Sequence, residues 1–162
     1  MTSAGRLSPV RQDAGGDSAL TNAALNGARV LLLEDEFLIA MDVEQLCRDN
    51  GADEVAIVRS LSETQGDGFD FAAYDVAIID VMLGGVSSLS FAERLRERSV
   101  PFIFASGYTN ADEAFSTFPE VDVINKPYAS EELLSAVSRA MNSRSAKARP
   151  AKSRADGDGA AG

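Results

Sequence analysis

The stretch Asp75-Val-Ala-Ile-Ile-Asp80 places four consecutive apolar residues between two aspartates. Four apolar residues without polar alternation describe a strand buried on both faces, the environment of a parallel sheet covered by helices on each side. Four similar runs flank it: Arg29-Val-Leu-Leu-Leu33, Glu54-Val-Ala-Ile-Val58, Pro101-Phe-Ile-Phe-Ala105 and Val121-Asp-Val-Ile124. Between them the pattern predicts helices at Phe37 to Asn50, Leu61 to Gln65, Ser87 to Arg98, Ala111 to Thr117 and Ser130 to Asn142. Gly51 fits a C-terminal stop for the first, and Ser130, followed by two glutamates, fits an N-cap for the last. Gly66 and Gly68 interrupt the second, which keeps little apolar periodicity. Alternating strands and helices with right-handed crossovers give an α/β fold, a doubly wound (βα)₅ parallel sheet of five strands.

Outside this block, residues 1–27 and 143–162 are rich in small and charged residues and lack apolar periodicity. Such segments bury too little surface to offset the entropy of ordering, so both are expected to be disordered extensions of one domain spanning 28–142. No apolar run approaches the roughly 18 residues of a membrane span, and the N-terminus lacks the apolar block of a signal peptide. A cytoplasmic protein without membrane contact is expected. The single cysteine, Cys47, rules out an intramolecular disulfide and reads as a small buried residue.

The chain has no histidine. That removes imidazole metal sites, ordinary serine and cysteine triads and phosphohistidine chemistry, so any metal must be held by oxygen, which points to a hard cation such as Mg²⁺. The net charge of -10 argues against a nucleic-acid surface. Between Ala28 and Met141 there are 8 basic and 21 acidic residues, whereas 142–162 carries 5 basic and 2 acidic, so net positive charge is confined to the tail.

In open α/β sheets chemistry collects beyond the carboxyl ends of the strands. There the chain places Glu34-Asp35-Glu36 after the first strand, Asp80 after the third, Ser106-Gly107-Tyr108 after the fourth and Asn125-Lys126-Pro127 after the fifth. Arg59-Ser60, after the second, suggests nothing specific. If the first and third strands are neighbours, Glu34, Asp35 and Asp80 converge, and each carboxylate pair about 5 Å apart repels by about 3 kcal/mol at an effective dielectric near 20. A divalent cation and Lys126, the only lysine within 28–142, would neutralise them. A carboxylate held in this way is a competent nucleophile toward a phosphoryl group, and the Ser106 hydroxyl can donate to a phosphoryl oxygen. Each motif alone has a bland reading, as a helix N-terminus or a turn. Four in order, each at the proper end of its strand, do not.

From Arg29 to Met141 the sequence resembles a response-regulator receiver domain. The resemblance implies a flavodoxin-like sheet of order 2-1-3-4-5, an acidic pair at Glu34 and Asp35, a phosphoacceptor at Asp80, a switch hydroxyl at Ser106 and the paired lysine at Lys126. It also implies a Mg²⁺ site of Glu34, Asp35, Asp80 and the Met82 carbonyl, and a cis Lys126-Pro127 bond. The run Pro101-Phe-Ile-Phe-Ala-Ser-Gly-Tyr108 is similar to the PFxFATGY signature of the FATGUY group, single-domain receivers of bacterial stress and cell-envelope signalling, with Ser in place of Thr. Two departures stand out. Val123 occupies the position of the usual aromatic switch residue, and Gly84-Gly85 replaces the usual proline. Tyr108 is therefore the candidate to reorient, with the loop and helix from Gly107 to Thr117 expected to order on activation.

The function implied is a single-domain response regulator in a two-component phosphorelay. A sensor histidine kinase or phosphotransfer protein would be its donor, and a downstream signalling protein its output. It would not be an enzyme beyond autophosphatase activity. A receiver-fold interaction module that works without phosphorylation, or a phosphate sink, is the alternative. A dehalogenase-type phosphatase would need a second Asp where Met82 stands, and a flavin binder would need a phosphate loop where Glu34-Asp35-Glu36 would repel phosphate.

Overall fold

The computed structural model describes residues 23–107 and 111–147. Its elements are β1 (Arg29–Leu33), α1 (Phe37–Asp49), β2 (Glu54–Val58), β3 (Val76–Asp80), a small hairpin of β4 (Met82–Leu83) and β5 (Val86–Ser87), α2 (Leu89–Glu97), β6 (Phe102–Ser106), α3 (Ala111–Thr117), β7 (Val123–Asn125) and α4 (Ser130–Lys147). The five long strands form one parallel sheet in the order β2-β1-β3-β6-β7, the expected 2-1-3-4-5.

Alternation along the strands builds two cores. Leu31, Leu33, Ala77, Ile79, Phe102 and Phe104 face α2 and α3, meeting Phe91, Leu95, Ala114 and Phe118. Val30, Leu32, Val76, Ile78, Ile103 and Ala105 face α1 and α4, meeting Ala40, Val43, Cys47, Leu133, Ala136 and Val137. Burying one such Leu, Ile or Phe side chain contributes about 1.5 to 3 kcal/mol. The central β3 is buried along its whole length, which is why Asp75-Val-Ala-Ile-Ile-Asp80 carries no polar alternation.

The second crossover departs from the expected helix. Leu61–Thr64 is a single 3₁₀ turn, closed by a capping box between Ser60 and Glu63. Gly66 follows at φ 93°, a left-handed conformation that ends any helix. Aromatic packing covers the sheet there instead: the Phe71 ring lies 4.9 Å from Phe69 and 5.5 Å from Phe91, and the Arg94 and Arg98 guanidiniums lie over it.

Both expected domain boundaries shift outward. Ala23–Gly27 form a turn whose Leu25 is fully buried, with the Leu25 N–H on the Asn50 carbonyl at 3.0 Å and the Gly27 N–H on Gly51 at 2.8 Å. Gly51, at φ 93°, stops α1 as expected, and a Cβ there would come within 2.6 Å of Ala23, so the turn also needs glycine for its close approach. At the other end α4 continues past 142 to Lys147, because Ala140 and Met141 still pack on the sheet and the following Ser, Arg, Ala and Lys residues include no helix breaker. Among the described residues no helix is long and apolar enough to cross a membrane.

Candidate functional site

The register carries β1 and β3 to the same level, pairing Leu33 with Ile79, so Glu34 and Asp80 emerge side by side at the carboxyl edge of the sheet. Asp80 is the last residue of β3 and pairs with Ala105, which brings Ser106 to the same edge. Lys126 follows β7, and its backbone N–H donates to the Ser106 carbonyl at 2.8 Å. The Lys126-Pro127 peptide is cis.

Lys126 Nζ then reaches across the edge, donating to Glu34 Oε2 at 2.6 Å and to Asp80 Oδ2 at 2.8 Å. The other oxygen of each carboxylate is held by backbone: Glu34 Oε1 accepts from the Glu36 N–H at 3.0 Å, and Asp80 Oδ1 from the Met82 N–H at 3.1 Å. Glu34 is 2% exposed and Asp80 9%. Burial pushes the Glu34 carboxyl above the usual carboxylate range, although Lys126 and the Glu36 N–H pull the other way. Burial would lower the Lys126 ammonium, but the Asp80 and Glu34 carboxylates outweigh it and raise its pKa, so it stays charged.

Asp35 completes the cluster. One oxygen from each of Glu34, Asp35 and Asp80 lies within 4.8 Å of the others. Asp35 has no cationic partner within salt-bridge distance among the described residues, so one ammonium faces three carboxylates. Each carboxylate oxygen keeps a lone pair beyond the hydrogen bonds described. An all-oxygen donor set with excess negative charge and small separations suits a hard divalent cation such as Mg²⁺.

The other expected site residues stand differently. Met82 lies against Asp80 through its N–H, at the start of the hairpin. Ser106 is wholly buried at the edge, but its hydroxyl donates to its neighbour's carbonyl, Gly107, at 2.8 Å. Tyr108 lies outside the described residues, whereas Ala111–Thr117, in the segment expected to order on activation, is already helical as α3.

Two residues were missed by the reading of the sequence. Ser88 is fully buried, and its Oγ donates to the Asp80 carbonyl at 2.6 Å and the Val81 carbonyl at 3.2 Å, bracing the backbone that carries Asp80. It arrives there through the β4–β5 hairpin, whose turn is Gly84-Gly85 at φ 58° and 79°. Two successive left-handed residues are the signature of a tight hairpin, and the Gly-Gly pair was the available signal. The second is Arg59, whose Nη2 donates to the Asp35 carbonyl at 3.0 Å.

Comparison with known proteins agrees with this geometry. A family model described as response regulator receiver domain matches residues 30–138. The transcriptional regulatory protein DltR of Streptococcus agalactiae is 29% identical over 116 residues, covering 67% of this chain and 50% of that protein. The sensory transduction protein RegX3 of Mycobacterium tuberculosis is 30% identical over 114 residues, covering 67% of this chain and 48% of that protein. The chain thus spans about half the length of the curated relatives it matches. Among solved structures, a response regulator receiver protein from Sinorhizobium medicae superposes with a TM-score of 0.62 at 26% identity, covering 74% of this chain and 98% of the other.

Proposed function

The chain belongs to the response regulator receiver domain family, and from that premise we propose that it accepts a phosphoryl group on Asp80 from a histidine kinase or phosphotransfer protein and passes the signal on by protein contacts. The observation that carries the reading is the Lys126 ammonium held between Glu34 and Asp80 while Asp35 stands beside them with no cation of its own. In the transfer an Asp80 carboxylate oxygen forms a bond to phosphorus, and the bond from phosphorus to the donor nitrogen breaks with its electron pair returning to the donor imidazole. Lys126 holds the carboxylate in place and offsets charge on the incoming phosphoryl oxygens. The Met82 N–H and the Ser88 hydroxyl fix the strand end from which Asp80 attacks. Ser106 would contribute by releasing the Gly107 carbonyl and donating to a phosphoryl oxygen, which couples phosphorylation to the loop that follows.

Glu34, Asp35, Asp80 and the Met82 carbonyl would hold Mg²⁺. When bound, the ion would offset the repulsion among the carboxylates and help draw a phosphoryl oxygen toward Asp80. The acceptor is stoichiometric, with autophosphatase activity as the most it would catalyse. The sequence motif from Pro101 to Tyr108 supports placement in the FATGUY group of stand-alone stress-signalling receivers, acting in the cytoplasm. The acidic balance from Ala28 to Met141 supports an output through a protein rather than through nucleic acid bound by this domain.

Intact-mass spectrometry after incubation with acetyl phosphate and Mg²⁺ tests the reading. Wild type should gain one phosphoryl mass, and Asp80→Asn or wild type in EDTA should gain none. A gain in the Asp80→Asn variant would overturn it.

A further inference from the structure

Arg59 sits just past β2, at the rim of the site, and three observations show it engaged there. Its backbone N–H donates to Glu63 Oε1 at 3.0 Å, inside the capping box that also binds the Ser60 N–H at 2.9 Å. Its guanidinium carbon lies 5.7 Å from the centre of the Phe37 ring. Its Nη2 donates to the Asp35 carbonyl at 3.0 Å, a bond spanning 24 positions of sequence. The guanidinium thus holds the middle of the turn between β1 and α1 and the first residue of α1, and its own root is pinned by Glu63.

The choice of acceptor matters chemically. A guanidinium paired with the Asp35 carboxylate would compete with a metal ion for the same oxygens. Directed at the Asp35 carbonyl instead, it restrains the backbone and leaves the carboxylate for a cation. Glu34 and Asp80 are already fixed by Lys126 and by backbone N–H groups. Asp35 is the ligand candidate with no such support among the described residues, so its backbone is where pre-organisation is needed.

We propose that Arg59 is a positioning residue for the divalent-cation site, holding the Asp35 backbone from outside the carboxylate cluster so that the side chain stays within ligating distance of Glu34 and Asp80. This rests on the reading of those three carboxylates as a Mg²⁺ site. The proposal runs against simple electrostatics, which gives the test a sign. A positive side chain near a cation site repels the cation, so removing it should tighten binding if charge alone mattered. Removing a positioning hydrogen bond should weaken it.

The experiment is isothermal titration calorimetry of the full chain with MgCl₂, for wild type, Arg59→Met and Arg59→Lys. Methionine keeps an apolar stem over Phe37 without the donor, and lysine keeps both a charge and a donor for the carbonyl. Arg59→Met should raise the Mg²⁺ dissociation constant roughly fivefold, the value of one ordinary hydrogen bond, and Arg59→Lys should recover most of the affinity. Because the side chain is exposed, the melting temperature in EDTA should be unchanged in both. The phosphorylation rate with acetyl phosphate should shift in its Mg²⁺ dependence but not in its saturating value. Unchanged or tighter binding in Arg59→Met overturns the proposal, as does a lower saturating rate at unchanged affinity or a large fall in melting temperature in EDTA. If wild type itself binds no Mg²⁺, the cation-site reading beneath the proposal fails first.

Discussion

The neighbouring strands β1 and β3 carry an ion-paired cluster at each end, and the two clusters are built on opposite plans. At the amino end Arg29 donates to Asp75 through its backbone N–H at 2.9 Å, its Nε at 3.2 Å and its Nη2 at 3.2 Å, one charge against one, open to solvent. At the carboxyl end Lys126 serves two buried carboxylates with a third beside them. The balanced end needs nothing further. The unbalanced end concentrates negative charge away from water, which costs stability by itself and is useful only if a cation or a phosphoryl group is to be received there.

The largest test of this contrast is to remove Lys126. In EDTA, Lys126→Ala leaves Glu34 and Asp80 buried without a counter-charge and should lower the unfolding free energy by about 3 kcal/mol, read as a fall in the urea midpoint. A fall no larger than that of a surface substitution would mean that the two carboxylates are not held charged. Adding Mg²⁺ comes next. At a hundredfold excess over its dissociation constant it should stabilise wild type by about 2.7 kcal/mol, and Asp35→Asn should remove most of that gain. Equal stabilisation of Asp35→Asn would place the ion elsewhere.

A smaller effect separates the two ends by pH. Because burial raises the Glu34 carboxyl, the folded state still holds its proton where the unfolded chain has released it, so stability should fall as pH rises from the ordinary carboxylate range through the raised value. Asp75 is lowered, chiefly by the Arg29 hydrogen bond, so its contribution is present above the ordinary aspartate value and is lost as pH falls through the folded one. Melting temperatures in EDTA across the acid range should show Glu34→Gln flattening the first trend and Asp75→Asn the second. Identical profiles for both variants would contradict the assignment. The smallest effect belongs to Arg29→Ala, which should barely move the melting temperature, since the pair is open to water and screened. It should leave Mg²⁺ binding untouched.

The same contrast explains what was legible in the sequence. The five strands could be read because runs such as Val76 to Ile79 are apolar on both faces, their order was implied only by the resemblance to receiver domains, and the cluster could be read because Glu34-Asp35, Asp80 and Lys126 lie within two residues of the ends of such runs. What escaped depends on distance in space rather than on position in a pattern. Leu25 lies in a tract of small and polar residues without apolar periodicity and is buried because Asn50 and Gly51 receive its turn. The crossover after β2 read as a helix because Leu61 to Gln65 has helical composition, yet Gly66 ends it after one turn and aromatic rings cover the sheet. Ser88 fell inside the helix expected from Ser87 to Arg98, and only the hairpin carries its hydroxyl back under Asp80. Arg59 reaches Asp35 from the end of the neighbouring strand, where Val58 pairs with Leu33, a contact that no local spacing encodes.

The central claim is that the unbalanced end of the β1–β3 pair receives a phosphoryl group on one named carboxylate. Borohydride reduction of the acyl phosphate formed with acetyl phosphate and Mg²⁺, followed by peptide mass mapping, locates it directly, because reduction converts a phosphorylated aspartate to homoserine. Homoserine should replace aspartate at position 80 alone, and EDTA should abolish it. Homoserine at any other aspartate, or the same yield at position 80 in EDTA, would contradict the account.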